Sequence, residues 1–166
     1  MYANNNLKIT IVDDDPAMTE MQKDFFARKF PGSVVTTFSS GEAALKGIYF
    51  EPDVIVLDYH LDSVNAEAMN GLQVLKKLKD QFPNVPVIFL SSQEKTEIAA
   101  NTMKYGAYDY IVKNENAFHR LEIILNNIRG HADLRKNLGT QKIFNTILAV
   151  LVLALIVGFF IWKMVN

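Results

Sequence analysis

Acidic, hydroxyl and basic side chains recur in this chain of 166 residues directly after short apolar runs. Asp13, Asp14 and Asp15 follow LKITIV, Asp58 closes DVIVLD, Ser91 and Ser92 follow VPVIFL, and Lys113 follows YDYIV. Gathered in one place, such groups suit phosphoryl transfer. Several carboxylates in one cleft repel and raise each other's pKa. A hard divalent cation removes that conflict, and Mg²⁺ keeps several waters, so two carboxylates and a carbonyl are enough to hold it. Asp58 would be the attacking carboxylate and would give an aspartyl phosphate. The cation and Lys113 would neutralise charge spread over the transferring group. The Ser91 hydroxyl could hydrogen-bond the product phosphate. Taken singly, each residue has a plainer use. Acids after a strand are commonly N-caps or turn formers, and Asp15 before Pro16 reads in part as a helix start. Ser91 and Ser92 alone would be loop residues, and Lys113 alone a solvated charge. Several strand ends that together supply a compatible set are much harder to obtain by chance.

The elements that would position these groups alternate along residues 7–128. The apolar runs at 7–12, 33–38, 53–58, 85–90 and 108–112 are mostly rich in Val and Ile without clean period-two alternation, which suits parallel strands covered on both faces. Helical patterns lie between them. Met18, Met21, Phe25 and Phe26 mark 17–30; Ala44, Leu45 and Ile48 mark 41–50; Leu72, Leu75 and Leu78 mark a helix ending near Phe82-Pro83. Residues 94–105 form a fourth, stopped by Gly106, and residues 115–128 a fifth with Leu121, Ile124, Leu125 and Ile128 on its apolar face. Successive βα units predict an α/β doubly wound sheet with right-handed crossovers, and in such sheets functional groups gather at the carboxyl ends of the strands.

Composition narrows the field. The formal net charge is −1 and the Lys and Arg residues are scattered, so no basic stripe of the kind a nucleic-acid reader needs is present. The absence of cysteine excludes disulfides, thiolate metal sites and cysteine nucleophiles. The opening MYANNNLKIT has no basic stretch followed by an apolar run, so no secretory signal is expected.

The motifs IVDDDP, VIVLDYHL, VIFLSS and GAYDYIVKN are similar, in order and spacing, to the CheY-like receiver domains of response regulators in bacterial two-component systems. The resemblance covers about residues 7–128. It implies a flavodoxin-like five-stranded parallel sheet of order 2-1-3-4-5 with five helices. It places the phosphoacceptor at Asp58 and the acidic pair at Asp13 and Asp14, with Asp14 the more direct Mg²⁺ ligand. Asp58 and the backbone carbonyl of His60 would complete the metal ligands. The phosphate-sensing hydroxyl maps to Ser91, the phosphate-binding lysine to Lys113 and the switch aromatic to Tyr110. A histidine kinase or phosphotransfer protein would be the donor. The face of the fourth helix, fifth strand and fifth helix is one the family uses for partners or dimers.

The chain departs from the family in three places. Asn114 stands after Lys113 where proline is usual, the segment between Asp58 and Gly71 is longer than usual, and Asp62 replaces a common proline in it. His60 occupies the position that tunes phosphate lifetime in the family; by its residue type it is equally an exposed loop histidine. His119 and His131 lack metal-ligand spacing.

Residues 129–142 are polar, with Arg129, Arg135, Lys136 and Lys142 against Asp133, and read as a juxtamembrane linker or helix extension. Residues 143–162 carry no charge; as a helix they would span roughly 30 Å, the thickness of a bilayer core. Phe159, Phe160, Trp162 and Lys163 suit an interface at the far end. A transmembrane helix over 143–163 is expected, tethering a receiver at 1–128 on the cytoplasmic side of the membrane, where the basic linker favours it. Output would be protein interaction, since the chain has no room for an output domain. Two other functions compete: a phosphorylation-independent membrane scaffold with the receiver fold, and a Mg²⁺-dependent phosphatase with an aspartyl nucleophile. The latter generally requires a second acid where His60 stands, so beyond its own phosphorylation and dephosphorylation the chain is not expected to be an enzyme.

Overall fold

In the computed structural model, β1 (Lys8–Val12), β2 (Val34–Phe38), β3 (Val54–Leu57), β4 (Val87–Ser91) and β5 (Asp109–Val112) form one sheet, ordered β2-β1-β3-β4-β5, with every neighbouring pair parallel. The structure describes residues 7–61, 68–130 and 147–149. The strands are those the apolar runs predict, and the order is the one the resemblance implies. β3 and β4 are buried at every position because helices cover both faces of the central sheet. β2, at the edge, leaves much of VVTTF exposed, and its β-branched residues hold the extended backbone without full burial.

The connecting helices are α1 (Pro16–Lys29), α2 (Gly41–Gly47), α3 (Gly71–Gln81), α4 (Thr96–Lys104) and α5, helical over 117–130. Their starts follow from capping chemistry. The Asp15 carboxylate accepts from Ala17 N–H with Pro16 leading the first turn, Ser40 accepts from Ala43 N–H, and Asn70 and Gln73 satisfy each other's backbone in a capping box. After α4 the chain turns through Gly106 at φ +90, a conformation open to glycine.

Some details differ from the sequence expectation, among them the start of α4 at Thr96 rather than 94. Met21 was expected on the buried face of α1, but it is 53% exposed and Gln22 is 1% exposed. On a helix of 3.6 residues per turn, position 22 falls at the centre of the arc through 18, 25 and 26, and position 21 at its edge. α2 stops at Gly47 rather than 50, which leaves Tyr49 and Phe50 outside the helix. α5 begins at 117 rather than 115 because Asn114 forms a turn first, its Oδ1 accepting from Asn116 N–H and its carbonyl from Ala117 N–H.

Two apolar layers enclose the sheet. On one side Ile55, Leu57, Val87 and Phe89 pack with Ala44 of α2 and Val74, Leu75 and Leu78 of α3. On the α1 side Phe25 packs edge-on against Phe26 and lies 5.1 Å, centroid to centroid, from Phe118. Each large side chain so buried contributes roughly 1.5–3 kcal/mol.

The chain divides into two compact units, Met1–Ile123 and Ile124–Asn166. Among the described residues no helix is long and apolar enough to cross a membrane. The span expected at 143–163 lies outside the described residues apart from the helical Ile147, Leu148 and Ala149, as does the linker beyond Gly130. Asp62 and the rest of 62–67 also lie outside them. The chain leaving that segment is anchored where Met69 N–H donates to Glu42 Oε1 at 2.8 Å, a bond that holds the Glu42 carboxyl below its ordinary range.

α3 starts unusually close to the end of β3. Gly71 N–H donates to the Tyr59 carbonyl at 2.8 Å, and a Cβ at Gly71 would meet the Asp58 carbonyl oxygen, with Tyr59 Cα at 2.7 Å and the Phe89 ring at 2.9 Å. Glycine is what lets the helix abut the backbone that carries Asp58. Gly71→Ala is expected to lose roughly 1–3 kcal/mol of stability from overpacking, read as a lower urea midpoint at unchanged slope. An unchanged midpoint would show that the backbone yields freely there.

Candidate functional site

The hydrogen-bond ladder of the sheet continues one residue past β1, β3 and β5, and those residues carry three of the site's side chains. Asp13 N–H donates to the Phe38 carbonyl at 3.1 Å, Asp58 N–H to the Val12 carbonyl at 2.8 Å, and Lys113 N–H to the Ser91 carbonyl at 2.7 Å. Each functional side chain therefore stands on backbone fixed by the neighbouring strand.

Asp13, Asp14 and Asp58 present carboxylate oxygens within 4.8 Å of one another. Lys113 Nζ bridges two of them, at 2.9 Å from Asp58 Oδ2 and 3.2 Å from Asp13 Oδ2. The other oxygens are also engaged: Asp58 Oδ1 accepts from Tyr59 N–H at 2.6 Å and Asp13 Oδ1 from Asp15 N–H at 3.0 Å. Both carboxylates are buried, Asp14 is half-buried, and little of Lys113 reaches solvent.

The electrostatics show which effect wins. Burial pushes the Asp13 carboxyl above its ordinary value, against the pull of Lys113 and the Asp15 N–H and with the push of the Asp58 charge. Burial alone would lower Lys113, but the bond and charge of Asp58, then those of Asp13, outweigh it and raise it. Lys113 is thus a firmly held cation, and Asp13 remains under strain from desolvation and a like charge. One ammonium cannot fully neutralise three neighbouring carboxylates.

That residue set fits a hard divalent cation. The donors are all oxygen, they converge within 4.8 Å, and their charge exceeds what Lys113 supplies; Mg²⁺ needs few protein ligands because it retains waters. Asp13, Asp14 and Asp58 would hold it.

Ser91 and Tyr110 meet at a second point, the backbone of Gln93. Ser91 Oγ, fully buried, accepts from Gln93 N–H at 3.2 Å, and Tyr110 Oη donates to the Gln93 carbonyl at 2.8 Å. The Tyr110 ring stacks on Phe89. Burial raises the Tyr110 hydroxyl's pKa, and its hydrogen bond with Ser91 opposes that rise. His60 sits half-buried two residues after Asp58, its ring edge-on to Tyr59. The bond after Lys113 is not cis, nor is any among the described residues, and Asn114 in the position after it leaves Lys113 on both acids.

Two participants escaped the sequence analysis. Gln22 on α1 donates from Nε2 to Asp13 Oδ2 at 3.1 Å, within the core; the signal was a lone amide at the centre of an apolar helical stripe. Gln93 acts through its backbone, which residue type does not reveal. Beside Lys113, an apolar hollow of about 180 Å³ is lined by Met18, Met21, Leu90 and Phe118 among others.

Known proteins share this arrangement of elements. The response regulator receiver domain family matches residues 9–125. The probable C4-dicarboxylate response regulator of Bacillus subtilis (strain 168) is 30% identical over 112 residues, which cover 67% of this chain and 47% of that protein. The protein-glutamate methylesterase/protein-glutamine glutaminase of Geobacillus kaustophilus is 37% identical over 111 residues, 64% of this chain and 30% of that protein. The receiver domain of Francisella response regulator 1452 superposes with a TM-score of 0.66 at 30% identity, covering 76% of this chain and 99% of that one. The chain spans about half the length, or less, of these curated relatives.

Lys113→Met removes the bridge and leaves the buried Asp13 and Asp58 carboxylates facing each other. Its cost near neutral pH is expected to be roughly 2–3 kcal/mol, measured by denaturant unfolding without divalent ions. Added Mg²⁺ should recover more stability in the variant than in the parent. Equal gains in both would show that the carboxylates do not depend on Lys113 for neutralisation.

Proposed function

Because this chain belongs to the response regulator receiver domain family, we propose that Asp58 accepts a phosphoryl group from a histidine kinase or phosphotransfer protein in a Mg²⁺-dependent two-component phosphorelay. The observation that carries this reading is the Lys113 ammonium, held between the Asp13 and Asp58 carboxylates beside Asp14. In the step proposed, an oxygen of Asp58 forms a bond to phosphorus while the bond from phosphorus to the donor's histidine nitrogen breaks. The nitrogen keeps the electron pair, and with a proton already on its other ring nitrogen the imidazole leaves neutral. A bound Mg²⁺ would supply positive charge beside the transferring oxygens. Lys113, already 2.9 Å from Asp58 Oδ2, needs only a small shift to reach a phosphate oxygen. Tyr59 N–H keeps the carboxylate oriented.

Output follows from Gln93. When the Ser91 hydroxyl turns to donate to the phosphate, the Gln93 N–H loses its acceptor, and Tyr110 is left as the tie between Gln93 and β5. The β4–α4 loop and the Tyr110 ring then rearrange together. This amounts to allostery where a partner binds the two states differently, and the face of α4 and β5 is the surface on which it would do so. The apolar hollow beside Lys113, with Met21 exposed at its edge, offers a protein donor a bed next to the acceptor.

The receiver would be held at the cytoplasmic face of a membrane by the uncharged run at 143–162, with the basic residues of 129–142 before it. His60 in place of a second acid disfavours the phosphatase reading. Lys113 reaching both acids despite Asn114 disfavours a scaffold indifferent to phosphate.

Incubating the full chain in detergent with Mg²⁺ and acetyl phosphate, followed by intact mass, is expected to add one phosphate. Asp58→Asn and a chelated sample should add none. Uptake by Asp58→Asn equal to that of the parent would overturn the assignment of the acceptor.

A further inference from the structure

The rim opposite Asp58 has a surface of its own. Every helix of a parallel sheet returns the chain from the carboxyl ends of the strands to their amino ends, so the helix-to-strand connections gather on the rim away from the site. There Tyr49 is 84% and Phe50 78% exposed, in the α2–β3 connection. Tyr105 and Tyr108, in the α4–β5 connection, and Val34 at the start of β2 are exposed as well. Basic residues stand in the last helical turns beside them: Arg28 and Lys29, Lys46, Lys79 and Lys104. Lys76 Nζ lies 3.9 Å from the centre of the Tyr105 ring. Among the described residues the acids near this rim are Glu51, Asp53, whose carboxylate accepts from Lys8 N–H, Asp80, and Glu122, which pairs with Lys29 at 3.0 Å. The site rim is the reverse, with exposed Asp15, Glu94, Glu97 and Glu115 around the buried acids and Lys95 as the exposed base.

Helix dipoles account for lysines at helix ends. They do not account for Tyr49 and Phe50, which stand 84% and 78% exposed. Aromatic rings and basic side chains side by side are the chemistry of a bilayer interface, where rings sit at headgroup depth and anionic lipids attract each Lys or Arg near the surface.

We propose that this rim, with Tyr49, Phe50, Tyr105 and Tyr108 set among Lys46 and Lys104, rests against anionic lipid headgroups and turns the phosphoacceptor site away from the bilayer. The inference rests on the membrane tether proposed above and adds an orientation to it. The acidic site rim is repelled by the same lipid surface that attracts the opposite rim, so a donor reaches Asp58 unobstructed while the receiver stays docked.

The absence of cysteine makes a single introduced thiol a unique probe. Full-length Phe50→Cys and Glu94→Cys, each carrying a fluorophore, are assembled into nanodiscs containing lipids with a nitroxide on the headgroup. In discs with anionic lipid, the label of Phe50→Cys should be quenched several-fold more than that of Glu94→Cys. The difference should fall in high salt, in purely zwitterionic discs and in a background of Lys46→Glu with Lys104→Glu. Phosphate uptake from acetyl phosphate by each variant verifies folding. A chain that does not travel with the discs refutes the tether, and the orientation with it. A chain that travels with the discs but leaves the two labels quenched alike refutes the orientation alone. Lipid-independent shielding of the Phe50→Cys label from a soluble quencher would assign the rim to a protein or a second copy, and would overturn the proposal.

Discussion

Three carboxylates that must share one small space set the terms for this site. Left alone they would protonate or move apart. The parallel sheet prevents the second, because Asp13 and Asp58 each continue a hydrogen-bond ladder and cannot withdraw. Lys113 limits the first by bridging them. Much of the surrounding architecture serves that arrangement: the ladder from Ser91 that places Lys113, the glycine that lets α3 close on Asp58, and the Gln22 amide that fixes Asp13 from within the core. The incomplete neutralisation that remains suits the site to a divalent cation, whose charge would in turn offset that of a transferring phosphoryl group.

The same backbone that holds the acids also connects them to a surface. Ser91 ends β4 and supplies both the carbonyl that positions Lys113 and the hydroxyl that accepts from Gln93. Tyr110 grips the other side of the Gln93 peptide while its ring lies against Phe89. Ser91 is thus joined by a direct hydrogen bond to the loop leading into α4. No long pathway is needed, because the site and the responding loop share one residue.

Much of this could be read from the sequence, for a physical reason. Strands buried on both faces leave uninterrupted runs of Val, Ile and Leu, and polar residues directly after such runs stand on one rim whatever the details of the helices. Asp13, Asp14, Asp58, Ser91 and Lys113 were visible on that ground. Features set by three-dimensional approach were not. Met21 and Gln22 differ by one helical step, and which of them is buried depends on how α1 lies on the sheet. Gly71 looks like an ordinary glycine in a loop until α3 is seen against the Asp58 backbone. Gln93 contributes only peptide groups. The end of α2 at Gly47 depends on where the chain must turn to enter β3, and that turn is what brings Tyr49 and Phe50 into solvent. The apolar run near the C-terminus stands on its composition alone.

The central claim is chemical: the phosphoryl group is carried by the carboxylate of Asp58, and not by its acidic neighbours or the Ser91 hydroxyl. Borohydride reduction of the phosphorylated chain, followed by peptide mass mapping, tests this directly, since an acyl phosphate is reduced to the alcohol and a serine phosphate is not. The account predicts homoserine at position 58. Homoserine at 13 or 14, or a phosphate on Ser91 that survives reduction, would contradict it.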